Sequence, residues 1–448
     1  MEVEYSTIVM NDAYFSILEK AKSVLQKNWT GEFTIPAAKL YPHQWSWDAA
    51  LISIGYAHFN QERAKQELRH LFTGQWSNGM LPHMIFNPEV TDYFPGPEFW
   101  QTKRSPDSPK DVDTSGGVQP PVHATACLLV YEKARDKVKA KEFLKEMYPK
   151  LCAWHDYLHR ERDPEGEGLV YIRHPWESGM DNSPVWDVVF KGIEIPEGKV
   201  PDYKRTDTQT VNPDDRPDNE TYDRYVYLVK LFYDNDYDEK AIREETPFLV
   251  QDVLFNALLA RADKDLAQIA DHIGEDGSEY KSKAEQISEA MNAKLWDEEH
   301  SIYFDYDMKN DKIIDSHLAS GFLPLFARIP NQKQAESMRE YLDSAHFARE
   351  HGKEHGIPSY DEEQPGFSPN RYWRGPVWIN INWFLYHGLK HYHFDEYADW
   401  IKKAIIGLPQ KHGFYEYYNP HKGTGHGADE FSWSASLLLD LIHREGLL

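Results

Sequence analysis

The stretch Trp47-Asp48-Ala49-Ala50-Leu51-Ile52-Ser53-Ile54-Gly55-Tyr56-Ala57-His58-Phe59-Asn60-Gln61-Glu62-Arg63-Ala64-Lys65-Gln66-Glu67-Leu68-Arg69-His70-Leu71-Phe72-Thr73 reads as a helix pair. One helix is predicted over 47–59 and the next over 61–73, with a break at Asn60. Outward from this pair the pattern repeats. Helices are predicted over 7–28, 122–135, 140–160, 219–235, 246–263, 265–295, 315–326, 332–344, 376–391, 393–406 and 429–443. In the last of these Phe431, Ala435, Leu438 and Ile442 share one face. A short strand pair fits 296–315. Two long irregular regions interrupt the helices, 74–121 and 163–218, and such lengths mark functional loops. Their aromatics argue for ordered lids. Periodicity therefore supports an all-α fold in one domain over 1–448. A closed ring of helix pairs is one arrangement that gathers the long loops at one end.

The chain has 448 residues, with 49 Lys and Arg against 73 Asp and Glu, a formal charge of −24. That sign excludes nucleic acid and anionic membrane surfaces as partners. The two cysteines, Cys127 and Cys152, lie in helical pattern and read as reduced thiols. The acidic N-terminus carries no visible signal peptide, and no run of about 18 apolar residues occurs. A soluble cytoplasmic protein is expected, and a homo-oligomer is compatible with it. Fourteen tryptophans and 27 tyrosines occur in a chain of mean hydropathy −0.69. Flat rings with a polar edge suit sugars, which present apolar C–H faces and a hydroxyl rim. A helical core filled with aromatics would explain them too.

Five segments place Trp or Tyr beside a carboxylate, amide or arginine: Tyr41–Asp48, Gly116–Pro121, His174–Asp187, Tyr372–Trp378 and Gly413–Pro420. Glycoside hydrolysis needs two carboxyl groups, one giving a proton to the leaving oxygen and one activating water or attacking directly. Asp181 and Glu416 form the best pair, each among aromatics and turn residues. Apolar rings beside a carboxyl raise its pKa toward neutrality, as a general acid requires. Glu177, Asp187 and Asp48 compete, and Asp48 also suits a helix N-terminus as a charge. No GxSxG elbow, P-loop or dinucleotide fingerprint is present. His351/His355 and His421/His426 lack a firm helix beneath them, and loop histidines explain them better than a metal. No metal and no cofactor are expected.

Six motifs, in order along the chain, resemble those of glycoside hydrolase family 63. They are Gln44-Trp45-Ser46-Trp47-Asp48, Trp176-Glu177-Ser178-Gly179-Met180-Asp181-Asn182, Arg216-Pro217-Asp218 with Tyr222-Asp223-Arg224-Tyr225, Tyr372-Trp373-Arg374-Gly375-Pro376-Val377-Trp378, Tyr415-Glu416-Tyr417 and Phe431-Ser432-Trp433. The family is related to the trehalase and glucoamylase groups. The resemblance is strongest to its short bacterial and plant members, which cleave mannosylglycerate or glucosylglycerate. It implies an (α/α)6 barrel with long capping loops, inversion at the anomeric carbon, Asp181 as general acid and Glu416 as general base. It implies a glycosyl subsite lined by Trp45, Trp47, Asp48, Trp176, Trp373 and Trp378. Gln119, Arg216, Tyr93, Tyr222 and Tyr372 would surround the aglycone, and Tyr41 and Gly179 join the substrate-binding set. Phe431 departs from the polar residue of some relatives.

The expected function is an inverting α-glycosidase for a small charged glycoside, glucosylglycerate or mannosylglycerate. A trehalase-like or oligosaccharide α-glucosidase is the alternative within hydrolases. A sugar isomerase or epimerase would need a histidine pair facing the ring, and none stands out. A sugar-binding protein would explain the aromatics but not both acids. Arg216 suits a carboxylate on the aglycone through its planar fork. The competing expectation is a salt bridge to Asp214, Asp215 or Asp218.

Overall fold

A computed structural model describes residues 2–347 and 354–447. Within them, six buried helical segments touch one another in a closed ring: Ser46–Tyr56, His123–Lys133, Val253–Ile273, Pro324–Ala327, Ile379–His391 and Ser432–Arg444. The ring closes because the first segment packs on the last. Between them in sequence run Gln61–Leu71, Lys137–Glu161, Ser278–Lys294, Gln332–Leu342 and Asp395–His412, with Glu2–Lys27 ahead of the first. These six form the outer layer, and the fold is an (α/α)6 barrel.

The division into layers follows residue type. All eleven residues of Ser46–Tyr56 are buried, whereas Gln61–Leu71 buries one face, Ala64, Leu68 and Leu71 with Lys65 and Glu67, and leaves the other polar residues at least partly open to solvent. The closing seam uses the smallest side chains. A Cβ on Gly55 would stand 2.3 Å from Ser436 Oγ. The Gly55 N–H donates to that Oγ at 2.8 Å, and the hydroxyl donates to Leu51 O at 2.7 Å.

Three predicted boundaries move. The 246–263 and 265–295 helices become Val253–Ile273 and Ser278–Lys294. Asp252 sets the start by accepting the Phe255 N–H at 2.6 Å, and Gly274, at φ 87°, sets the end. The predicted 315–326 helix is broken into a 3-10 turn, Ala319–Phe322, and one helical turn from Pro324. Gly321 lies against Ile302 and leaves no room for a Cβ, which holds this piece close to the neighbouring strand. Residues 376–378 stay extended, since Val377 pairs with Tyr418. The 296–315 region holds two small antiparallel hairpins where one was expected. A further hairpin, Tyr415–Tyr418 with Gly425–Asp429, has no counterpart among the predicted elements.

No helix of the described residues is long and apolar enough to cross a membrane. His351 lies outside the described residues. Among those described, no group of three or more His, Cys, Asp or Glu is placed to hold a metal ion.

The seam makes a stability test. Gly55→Ala should cost about 1–3 kcal/mol through overpacking against Ser436. Gly407, also helical, has open space around it, so Gly407→Ala should be neutral or stabilise by up to about 1 kcal/mol. Equilibrium denaturation of the two variants checks the contrast.

Candidate active site

A cleft opens where the inner helices begin. Trp47 and Asp48 stand in the first turn of Ser46–Tyr56, and Gln119 just precedes His123–Lys133. Trp433 stands in the first turn of Ser432–Arg444. Gln119 Oε1 accepts the Trp47 N–H at 3.0 Å. It thereby satisfies one of the free donors at that helix start and ties the 116–121 segment to the first inner helix.

The turn carrying Asp181 is held from both sides. Pro175–Ser178 forms a 3-10 turn that ends at Gly179, φ 74°. A Cβ there would stand 2.8 Å from the Trp47 indole, so glycine serves both the left-handed backbone and the ring contact. The Trp186 indole donates to Met180 O at 2.8 Å, and the Tyr225 hydroxyl donates to Asp181 O. The Asp181 carboxyl is partly open to the cleft. Burial pushes its pKa up to about 6, with Arg216 and the Tyr372 hydroxyl pulling the other way.

Glu416 is 1 % exposed and lies in the 415–418 strand of the unforeseen hairpin. Tyr41 donates its hydroxyl to Oε1 at 2.7 Å, and Ala428 donates its N–H to Oε2 at 3.0 Å. Gly427, φ 71°, leaves the space Oε2 occupies; a Cβ there would come within 2.3 Å of it. Burial raises the Glu416 pKa; Arg216 and the two hydrogen bonds oppose this, and the Asp181 charge adds to it. Asp48 is likewise raised, by burial and then by Glu416.

Arg216 Nη1 donates to the Tyr41 hydroxyl at 3.2 Å, and the guanidinium lies 4.0 Å from the centre of the Tyr372 ring. Its ion-pair partner among the described residues is Asp207, at 3.3 Å, and not Asp214, Asp215 or Asp218. Asp207 is gripped more closely by Arg205, at 2.7 and 2.9 Å. The outer faces of Arg216 therefore remain on the cleft, which it lines beside Tyr93, Tyr222 and Tyr372.

Of the residues singled out from sequence, Tyr41, Trp45, Trp47, Asp48, Tyr93, Gln119, Trp176, Gly179, Asp181, Arg216, Tyr222, Tyr372 and Glu416 line this one cleft. Trp373 and Trp378 do not. Each is 1 % exposed, and their rings stack on each other 3.6 Å apart, one layer behind Tyr372. Stacking on a neighbour satisfied rings that sequence alone aims at a sugar. Gln119 lines the cleft next to Trp47, whose N–H its Oε1 accepts. Phe431 also lines the cleft, its ring edge-on to Tyr41. Sequence reasoning missed Asp207, Tyr225 and Gly427. Asp207 lies in a polar loop without pattern; the Tyr222–Tyr225 motif contained a usable signal for Tyr225.

The competing acids have other partners. Asp187 pairs with both terminal nitrogens of Arg374 at 2.5 and 2.7 Å. Glu177 is 1 % exposed and faces Arg162 at 2.8 and 2.9 Å. It also accepts the Arg173 and Val118 N–H groups. Burial alone would raise its pKa, but Arg162 and Arg173 outweigh burial and hold it at about 2.

A family model described as the mannosylglycerate hydrolase MGH1-like glycoside hydrolase domain matches residues 41–434. The chain belongs to this family. It is a glycoside hydrolase, and the match takes in every cleft residue expected from sequence. A mannosylglycerate hydrolase of Rubrobacter radiotolerans is 50 % identical over 426 residues, 95 % of this chain and 96 % of the relative. A glucosylglycerate hydrolase of Mycolicibacterium hassiacum is 34 % identical over 94 % of this chain and 97 % of the relative. The solved family 63 mannosylglycerate hydrolase of Thermus thermophilus, in complex with Tris and D-glycerate, superposes with a TM-score of 0.89 at 42 % identity. That alignment covers 95 % of this chain and 99 % of the other.

Glu177 carries a stability prediction with a defined pH sign. Its folded pKa is depressed, so its contribution is full above the ordinary carboxylate value of 4.5 and is lost as pH falls toward about 2. Glu177→Gln should cost about 3–5 kcal/mol at neutral pH, because it leaves two buried arginines short of a carboxylate. The gap between variant and wild type should narrow as pH falls below 4.5, which denaturation at stepped pH will read.

Proposed function

We propose that the chain hydrolyses mannosylglycerate or glucosylglycerate to free sugar and glycerate, with inversion at the anomeric carbon. Asp181 is the general acid and Glu416 the general base. The observation that carries this reading is the pair of carboxyls in one aromatic cleft, with unlike surroundings. Asp181, with a pKa raised to about 6, keeps its proton to higher pH than an ordinary carboxyl and can give it to the glycosidic oxygen. Glu416 accepts from Tyr41 and Ala428; these bonds favour its ionised form and aim the carboxylate, so that it takes a proton from the attacking water. Trp45, Trp47, Asp48 and Trp176 form the subsite for the glycosyl ring.

Arg216 grips the glycerate carboxylate, with Tyr93, Tyr222 and Tyr372 around it. It is a fixed positive charge in a chain of net −24, and its planar fork matches a carboxylate. The Asp207 contact, at 3.3 Å, orients the guanidinium and leaves donors for substrate. The names of the relatives at 50 % and 34 % identity support both sugars. The whole chain acts as a single catalytic unit, and the 74–121 and 163–218 segments close over bound substrate and exclude water.

Asp181→Asn and Glu416→Gln should each lower kcat on either glycosylglycerate by about 10² to 10⁴. The wild-type kcat/KM should fall as pH rises through about 6, as Asp181 loses its proton. Asp181→Asn should abolish that limb of the profile. Folding should survive the change. A raised carboxyl pKa contributes stability that is lost as pH rises through about 6, so at pH above this the neutral Asn variant should melt no lower than wild type. Near-normal kcat in either variant would refute the assignment.

Arg216→Ala should lower kcat/KM for the glycosylglycerate by about two powers of ten or more. It should barely affect hydrolysis of the matching glycosylglycerol, which lacks the carboxylate. Equal losses on both substrates would assign Arg216 to structure alone.

A further inference from the structure

The turn that runs from His174 to Asp181 is fastened at both ends to one residue outside it. The His174 side chain is buried. Its Nδ1 accepts the Trp176 N–H at 2.9 Å, which caps the 3-10 turn, and its Nε2 donates to Tyr225 O at 3.1 Å. At the other end the Tyr225 hydroxyl donates to Asp181 O. Tyr225 therefore holds His174 by its carbonyl and Asp181 by its hydroxyl.

The partners fix the state of the histidine. A backbone N–H only donates and a carbonyl only accepts, so Nδ1 is bare and Nε2 carries the proton. Burial, foremost, lowers the His174 pKa to about 4, and the ring is neutral at neutral pH. Burial raises Tyr225 well above the ordinary phenol range, which keeps its hydroxyl a donor. The rings pack together as well. That of His174 lies 4.5 Å from that of Trp176, and the Tyr225 ring lies 5.5 Å from each.

Tyr225 belongs to the helix Asn219–Asp234, one turn on from Tyr222. The clamp thus joins the turn that brings Trp176 and Asp181 to the cleft with the wall that brings Tyr222. The glycosidic oxygen has to lie at this junction, between the glycosyl ring and the aglycone. A misplacement of about 1 Å there can cost about 10²-fold in rate.

We propose that His174 and Tyr225 are positioning residues that together set the Asp181 carboxyl against the glycosidic oxygen. This rests on the reading of Asp181 as the general acid. Neither residue donates the proton; both act through the backbone of the turn that carries it.

Comparing two leaving groups on the full chain tests this. A glycosylglycerate needs a proton on its leaving oxygen, whereas the α-fluoride of the same sugar needs far less acid assistance. The kcat ratio of glycosylglycerate to fluoride should fall at least about tenfold in Tyr225→Phe, which keeps the ring and loses only the hydroxyl. His174→Asn should do the same, since its Oδ1 can still cap the turn while the link to Tyr225 O is lost. The double variant should lose little more than the worse single one, because both cut the same clamp. Asp181→Asn is the reference and should lower the ratio most. If Asp181→Asn leaves the ratio unchanged, the general-acid reading itself fails. If it lowers the ratio but Tyr225→Phe does not, or if Tyr225→Phe slows both substrates equally, the positioning proposal alone is overturned. Fully additive losses in the double variant would also overturn it. Where His174→Asn does not fold, Tyr225→Phe decides.

Discussion

The contact on which the rest depends is the one between Gly55 and Ser436. It joins the first inner helix to the last by a hydrogen bond from the Gly55 N–H to the Ser436 hydroxyl, which fills the space that glycine leaves. Ring closure at this seam brings the segments before each inner helix to one end. There the 41–48 strand and turn meet the 415–429 hairpin through the Tyr41–Glu416 hydrogen bond, whose partners stand 375 positions apart in sequence. The chemistry is placed by loops, but the loops are placed by the ring.

Two acids four residues apart show how that placement divides labour. Glu177 and Asp181 belong to one turn and are both largely enclosed. Glu177 faces two arginines and is held at about 2, so it stays ionised and anchors the 116–119 and 173–177 backbone. Asp181 faces the cleft and aromatic rings and rises to about 6. The difference comes from the neighbours, not from the residue type. Gly179 separates the two, turning the chain so that Asp181 points into the cleft while Trp47 packs over the bend.

Much of this was legible in the sequence, because helical periodicity and the pairing of aromatics with carboxylates leave strong local patterns. The outer helices, the two long loops and thirteen residues of the cleft lining could be read that way or through the family motifs. What was not legible depends on contacts distant in sequence. The inner piece reads as one helix over 315–326, but not as the 3-10 turn and single helical turn into which Gly321 and Pro324 break it. The 415–429 hairpin is written in strands of four and five residues, with glycines that look like loop. Trp373 and Trp378 have the composition of sugar platforms, and only the fold reveals that each stacks on the other. Asp207 has no pattern at all, since its meaning lies in the arginines it meets.

The account rests on one stereochemical outcome, water attacking the anomeric carbon from the face opposite the Asp181 proton. Proton NMR of the sugar first released from an α-linked glycosylglycerate reads this directly, before mutarotation equilibrates the anomers. The account predicts the β-anomer first. Initial appearance of the α-anomer would contradict it.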